Sequence, residues 1–185
     1  MYGIKSEYYI TPNISGSDFL ENEVRKYFNY KPKSEREKFA DVWIDPFTAL
    51  NVKTVKLNDQ DIGGPGRICT AAINEWLRDE KNNLKLFFIE YNIDDGHIVI
   101  VTQNEYYIEE VEYDIMNQGK GLLQPKRKLG KLVLRSKISR EAWLSEFEIK
   151  YKKFAIAQIS RFESHMNSWC NNVGVIDRGN LEAFL

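Results

Sequence analysis

The sequence predicts an α/β (α+β) protein built on a central mixed β-sheet flanked by helices. Apolar residues recur at helical spacing around residues 20–28, 68–77 and 143–162. Runs rich in β-branched and aromatic residues over 39–45, 49–57, 84–93 and 97–102 read as strands. Their order along the chain is helix, two strands, helix, two strands, which is a layered plan around one sheet.

Taken in order, Ser15-Gly16-Ser17-Asp18 opens the first helix. Ser17 is the expected N-cap, and Asp18 favours the positive end of the helix dipole. Leu20, Val24, Tyr27 and Phe28 form its apolar face, and Asn29 lies near its end. Phe39–Asp45 and Ala49–Leu57 form a hairpin across Pro46. The Gly/Pro-rich loop Asn58–Arg67 leads into a helix from Arg67 to Arg78. Leu84–Ile93 turns at Asp94-Asp95-Gly96, a strong hairpin signal, into His97–Thr102. Tyr106–Tyr113 reads as a short helix, residues 117–121 as a loop and Leu132–Leu134 as a further strand. Ser139 caps a long helix from Arg140 to about Trp169, with Trp143, Phe147, Tyr151, Phe154, Gln158 and Phe162 along one stripe. The tail ends in a last turn at Leu181–Leu185. No repeat or linker interrupts the chain, so residues 1–185 are expected to form a single domain.

A chain of 185 residues that is 43% hydrophobic and 13% aromatic can build a packed core. It carries no secretory signal and no apolar run long enough for a bilayer, so the expected location is the cytoplasm. Cys69 and Cys170 are expected to be buried thiols, and His97 and His165 incidental. The net charge of −1 hides a strong asymmetry. Residues 79–116 hold ten acidic side chains against two basic, and residues 120–153 hold eleven basic against three acidic. The basic segment is a candidate phosphate-binding surface. The other reading has the two segments side by side, neutralising each other.

The first hairpin gathers a chemically specific set. Asp41 lies on one strand, and Asn51 and Lys53 lie two residues apart on the next, hence on the same face. A carboxylate, an amide oxygen and an ammonium would thus converge. Magnesium accepts few protein oxygens and completes its shell with water and phosphate. A neighbouring Lys can orient or deprotonate an attacking water and stabilise charge on the phosphoryl group. Asp41 and Lys53 both interrupt apolar runs, where an unpaired charge is costly. Asp45, on the same face as Asp41, is a further candidate metal ligand.

The order helix, Ala40-Asp41-Val42, Asn51-Val52-Lys53-Thr54, loop and helix resembles the PD-(D/E)xK nuclease core, and in detail type II restriction endonucleases of the HincII kind. Gly64-Pro65-Gly66-Arg67-Ile68 matches their loop into a helix, and Arg140-Glu141-Ala142-Trp143 the opening of their long last helix. The likeness spans roughly residues 18–165. It implies magnesium-dependent, sequence-specific hydrolysis of double-stranded DNA, leaving 5′-phosphate ends, by a homodimer acting on a palindrome. It makes Asp41 a metal ligand and Lys53 the catalytic lysine, and it implies that Glu21 or Glu23 on the first helix orients a metal-bound water. The second acid of the pattern falls on Asn51, which supplies an oxygen without charge. That departure leaves open a non-catalytic DNA-binding module, and a structure-specific repair or resolvase-type nuclease is the other alternative.

For base reading, Asn58, Gln60, Gly64, Gly66 and Arg67 are the first candidates. Glycines allow close backbone approach and Arg can pair with guanine in a bidentate way. The likeness adds Asn117, Gln118, Lys120 and Gln124 as a second reading segment. Lys126, Arg127 and Lys128 are expected on phosphates, which position a duplex without specifying its sequence.

Overall fold

The computed structural model describes residues 4–10, 15–30, 39–57, 68–116, 121–128 and 131–173. In chain order the elements are β1 (Glu7–Tyr9), α1 (Gly16–Tyr27), β2 (Val42–Asp45), β3 (Thr48–Lys56), β4 (Ile68–Cys69), α2 (Thr70–Leu77), β5 (Asn83–Asp94) and β6 (His97–Tyr107). A 3₁₀ turn (Ile108–Glu110) follows, then β7 (Tyr113–Met116), β8 (Leu122–Pro125), β9 (Arg127–Lys128), β10 (Lys131–Leu132) and α3 (Arg140–Val173).

The main sheet has the order β1-β6-β5-β3-β2. It is mixed: β3 and β5 run parallel, joined through α2, and every other neighbour is antiparallel. A parallel neighbour requires such a crossover, whereas β2–β3 and β5–β6 close as hairpins. Asp95 (φ 44°) and Gly96 (φ 76°) turn the second hairpin, both at the positive φ of a primed turn. The mixed sheet with flanking helices is the predicted fold class.

The sheet is covered on both faces. Leu20 and Val24 of α1 pack on Val42, Leu50, Val52, Phe87, Ile89 and Ile98. On the opposite face Ala49, Leu84 and Leu86 meet Ile73 and Leu77 of α2 and Trp143 and Phe147 of α3, with Tyr113 and Leu123 from the small sheet β4-β8-β7. Consecutive residues of β3 therefore serve alternate layers, as the pleat demands.

Several boundaries differ from the sequence reading. Ser15, with extended backbone, is the N-cap of α1, without a side-chain bond; Ser17 instead accepts a hydrogen bond at 2.8 Å from Thr54 Oγ1, tying α1 to β3. Asn29 takes positive φ just after that helix, a common helix stop. The second helix begins at Thr70, because Ile68 and Cys69 pair with β8. The expected helix at Tyr106–Tyr113 is a short 3₁₀ turn, since β6 stays paired with β5 as far as Tyr107. Of the expected strand Leu132–Leu134 only Leu132 is extended and paired, at the end of β10, and an isolated bridge joins Leu134 to Val111. On α3, Ser139 Oγ accepts from Ala142 N–H at 3.2 Å, as expected of a cap, but Phe162 is exposed.

Gly121, at the start of β8's approach, has φ 76°, and a β-carbon there would lie 2.8 Å from Phe154. Gly121→Ala is expected to lose about 1–3 kcal/mol in urea unfolding, from backbone strain and the clash together; an unchanged midpoint would mean that Phe154 moves aside freely.

Candidate active site

The β2–β3 register runs Val42 to Leu50 and Trp43 to Ala49, so Asp41 stands across from Asn51 at the open end of the hairpin. Asp41 N–H donates to Leu50 O at 2.9 Å. Its side chain then stands in for a backbone carbonyl, with Oδ2 accepting from Val52 N–H at 2.7 Å. Asp41 is thus partly buried by the strand it binds.

Asn51 and Lys53 alternate with Leu50 and Val52, which face α1, and so share the sheet face of Ala49. Both are only 5% exposed. Asn51 Nδ2 donates to Phe39 O at 2.8 Å, which fixes the amide orientation. Its Oδ1 is buried without a hydrogen-bond donor. Leaving such an acceptor empty costs about 1–3 kcal/mol. Burial pushes the Lys53 ammonium below the usual lysine range, and the charges of Asp41 and Glu21 pull it back up.

Glu21 enters from α1. Burial raises its carboxyl above the ordinary range, and the charge of Asp41 raises it further, while Arg25 and Lys53 oppose both. Of the two helix acids, Glu21 is the one in this electrostatic group; Glu23 pairs with Lys26 at 2.5 Å. Arg25 was not anticipated. It forms an ion pair with Glu21, donates from Nε to Asp41 O at 3.2 Å, and sets Nη2 3.9 Å from Asp41 Oδ1. The four-residue spacing of Glu21 and Arg25 was a usable signal for the pair.

Asp45 is not brought to this group. It ends β2 away from Asp41, a separation of about 13 Å along an extended strand. Its Oδ1 accepts from Phe47 N–H at 2.8 Å in the hairpin turn. That bond, with further ones from Thr48, holds its carboxyl below the usual range.

No family model and no curated protein matches the sequence. Among solved structures, the chain is similar to NlaIV restriction endonuclease, with a TM-score of 0.41 and 9% identity, over 78% of this chain and 72% of that chain.

The donors can be tested against a magnesium ion. Among the described residues no three Asp, Glu, His or Cys side chains gather as a metal cluster. Magnesium needs only one or two carboxylates beside water and phosphate. Asp41 Oδ1 and the donorless Asn51 Oδ1 are oxygens of the required kind, and their chemistry fits the ion.

The candidate DNA contacts divide. Asn58, Gln60, Gly64, Gly66, Arg67, Asn117, Gln118 and Lys120 lie outside the described residues. Gln124 is half-buried on β8, opposite Asp114. Lys126 reaches Asp114 at 3.4 Å and Glu112 at 4.0 Å. Burial lowers the Arg127 guanidinium from its ordinary value, and the charge of Glu90 opposes that shift. Lys128 is exposed. The acidic and basic segments therefore meet at several points, Arg140–Glu109 among them, and much of the basic charge is answered within the fold. No helix of the described residues is long and apolar enough to cross a membrane.

Proposed function

We propose that this chain is a magnesium-dependent nuclease that hydrolyses double-stranded DNA, a type II restriction endonuclease with a PD-(D/E)xK core of the HincII kind. One observation carries the reading: a lysine 5% exposed, buried at the cost of its own hydration, lies on the same strand face as a buried, donorless amide oxygen and beside a carboxylate. Asp41 also ties the hairpin together, but a buried lysine and a donorless amide oxygen cost the fold stability, whereas phosphoryl chemistry has a use for each member. The order α1, β2–β3 hairpin, α2 and parallel β5 is the order expected of that core.

In this reading Asp41 and Asn51 hold the ion, which when bound polarises the phosphoryl group and acidifies a water. Lys53, in a site of low dielectric, stabilises charge gathering on the phosphate oxygens and orients the attacking water. Arg25 keeps the Asp41 main chain in register. Glu21, whose carboxyl is raised, accepts or holds a proton from the same water. The loop 58–67 reads bases through Arg67, with Asn117, Gln118, Lys120 and Gln124 in support, and Lys128 meets phosphate. The products carry 5′-phosphates, and two copies cut the two strands of a palindrome.

The test is incubation with phage DNA, with magnesium or with chelator. Discrete magnesium-dependent fragments are the expected result. Failure to cut several DNAs with several metals overturns the reading. Asn51 in place of an acid favours one second reading, a DNA-binding module that keeps the hairpin without the metal; it predicts retarded bands and no fragments.

A further inference from the structure

α3 is 34 residues long, about 50 Å at the α-helical rise. Trp143, Phe147 and Phe154 bury one face of its first half. From Ile159 to Ser168 every residue except the half-buried Met166 is exposed, whichever side it faces. A helical segment of this length without packing is marginal in water. Yet it is not a polar segment: Ile149, Ile156, Ile159 and Phe162 are exposed by 56%, 65%, 58% and 65%.

These residues belong to a pattern. Ile149, Lys152, Ile156, Ile159, Glu163 and Met166 follow one another at spacings of three and four, the a/d seam of a coiled coil. The seam lies opposite the buried stripe. It also reads the same way from both ends. A two-fold axis between Ala157 and Gln158 sets Ile149 against Met166 of a second copy, Lys152 against Glu163, and Ile156 against Ile159. A parallel pairing would instead oppose Lys152 to Lys152 and Glu163 to Glu163, and like charges in a seam are repulsive. Two-fold pairings are isologous, so one favourable Lys–Glu contact occurs twice.

We infer that a second copy of this chain covers the outer face of α3, in an antiparallel two-helix seam centred between Ala157 and Gln158. Charge complementarity selects both the partner and the direction. Phe162, beside the seam, packs over its edge. The inference rests on the two copies of the nuclease reading and adds where they meet; its readout is mass in solution and charge rescue on α3, so its failure and the failure of the cleavage assay are told apart.

Sedimentation velocity of the full chain tests it. The natural chain is expected to run as a dimer. K152E and E163K alone each place like charges together twice, and each is expected to weaken dimerisation by about tenfold or more. The double variant K152E/E163K restores the opposition and with it the dimer, a rescue that misfolding cannot mimic. A natural chain that stays monomeric up to about 10⁻⁴ M overturns the inference. So do single variants that dimerise like the natural chain, or a double variant as weak as the singles.

Discussion

Lys53→Met is expected to abolish DNA cleavage while raising the melting temperature of the protein. The two effects come from one fact, the burial of an ammonium among Ala49's neighbours on β3. Methionine has nearly the same length and no charge to desolvate, so the site loses its donor without leaving a cavity. Losing one donor to a developing phosphate charge costs about 10²–10³ in rate, more where it also positions water. Relief of a strained functional charge is worth about 0.5–2 kcal/mol. The sign with pH follows. Lys53 has a lowered folded pKa, so the unfolded chain binds the extra proton, and this group's contribution to stability grows as pH rises toward the ordinary lysine value. The parent-to-Met difference in melting temperature should therefore shrink at alkaline pH. Duplex binding with calcium, which supports no cutting, should persist in the variant. A variant that melts lower than the parent would recast Lys53 as a structural ion-pair partner of Asp41 and Glu21.

The second large effect is on stability alone. Arg140 begins α3, and its Nε donates to Glu109 Oε1 at 2.6 Å, with Glu109 2% exposed. Its Nη1 also donates to Asn82 O at 2.7 Å and Leu77 O at 3.3 Å. One guanidinium thus joins the end of α2, the start of β5, the 3₁₀ turn and α3. Glu109 Oε2 already lacks a hydrogen-bond partner. Arg140→Ala strands that carboxylate in the core and is expected to cost about 3–5 kcal/mol in urea unfolding. Replacing both partners, Arg140→Met with Glu109→Leu, should recover most of the loss, since apolar groups leave no charge behind. A single-variant loss below about 1 kcal/mol would mean water reaches Glu109.

The parts of the fold that were legible in sequence are those whose periodicity is self-sufficient. The hairpin at β2–β3, the turn at Asp95-Gly96 and the long helix after Ser139 each carry their own signal. The end of β6 did not, because Asn104 to Tyr107 owe their extended shape to pairing with β5, from Lys85 to Phe88. Nor did β7 and β8, short strands specified by each other and by the core residues Tyr113 and Leu123. At the candidate site, two-residue alternation was enough to put Asn51 and Lys53 on one face. Asp45 seemed to join them only because alternation ignores distance along the strand. Arg25 was missed because its role depends on how α1 crosses the sheet. The charge asymmetry was real in sequence, but pairs such as Lys126–Asp114 depend on which segments lie side by side.

For the nuclease proposed above, the bond from Val52 N–H to Asp41 Oδ2 has a practical consequence for trapping a bound duplex. A carboxylate that also splints the hairpin makes Asp41→Ala a poor choice of inert enzyme, since deleting it frees the strand end together with the chemistry. Asp41→Asn retains an oxygen able to accept from Val52. An unreactive complex prepared with that substitution would keep the architecture of the cutting edge, and any loss of grip on DNA could then be charged to the missing negative charge alone.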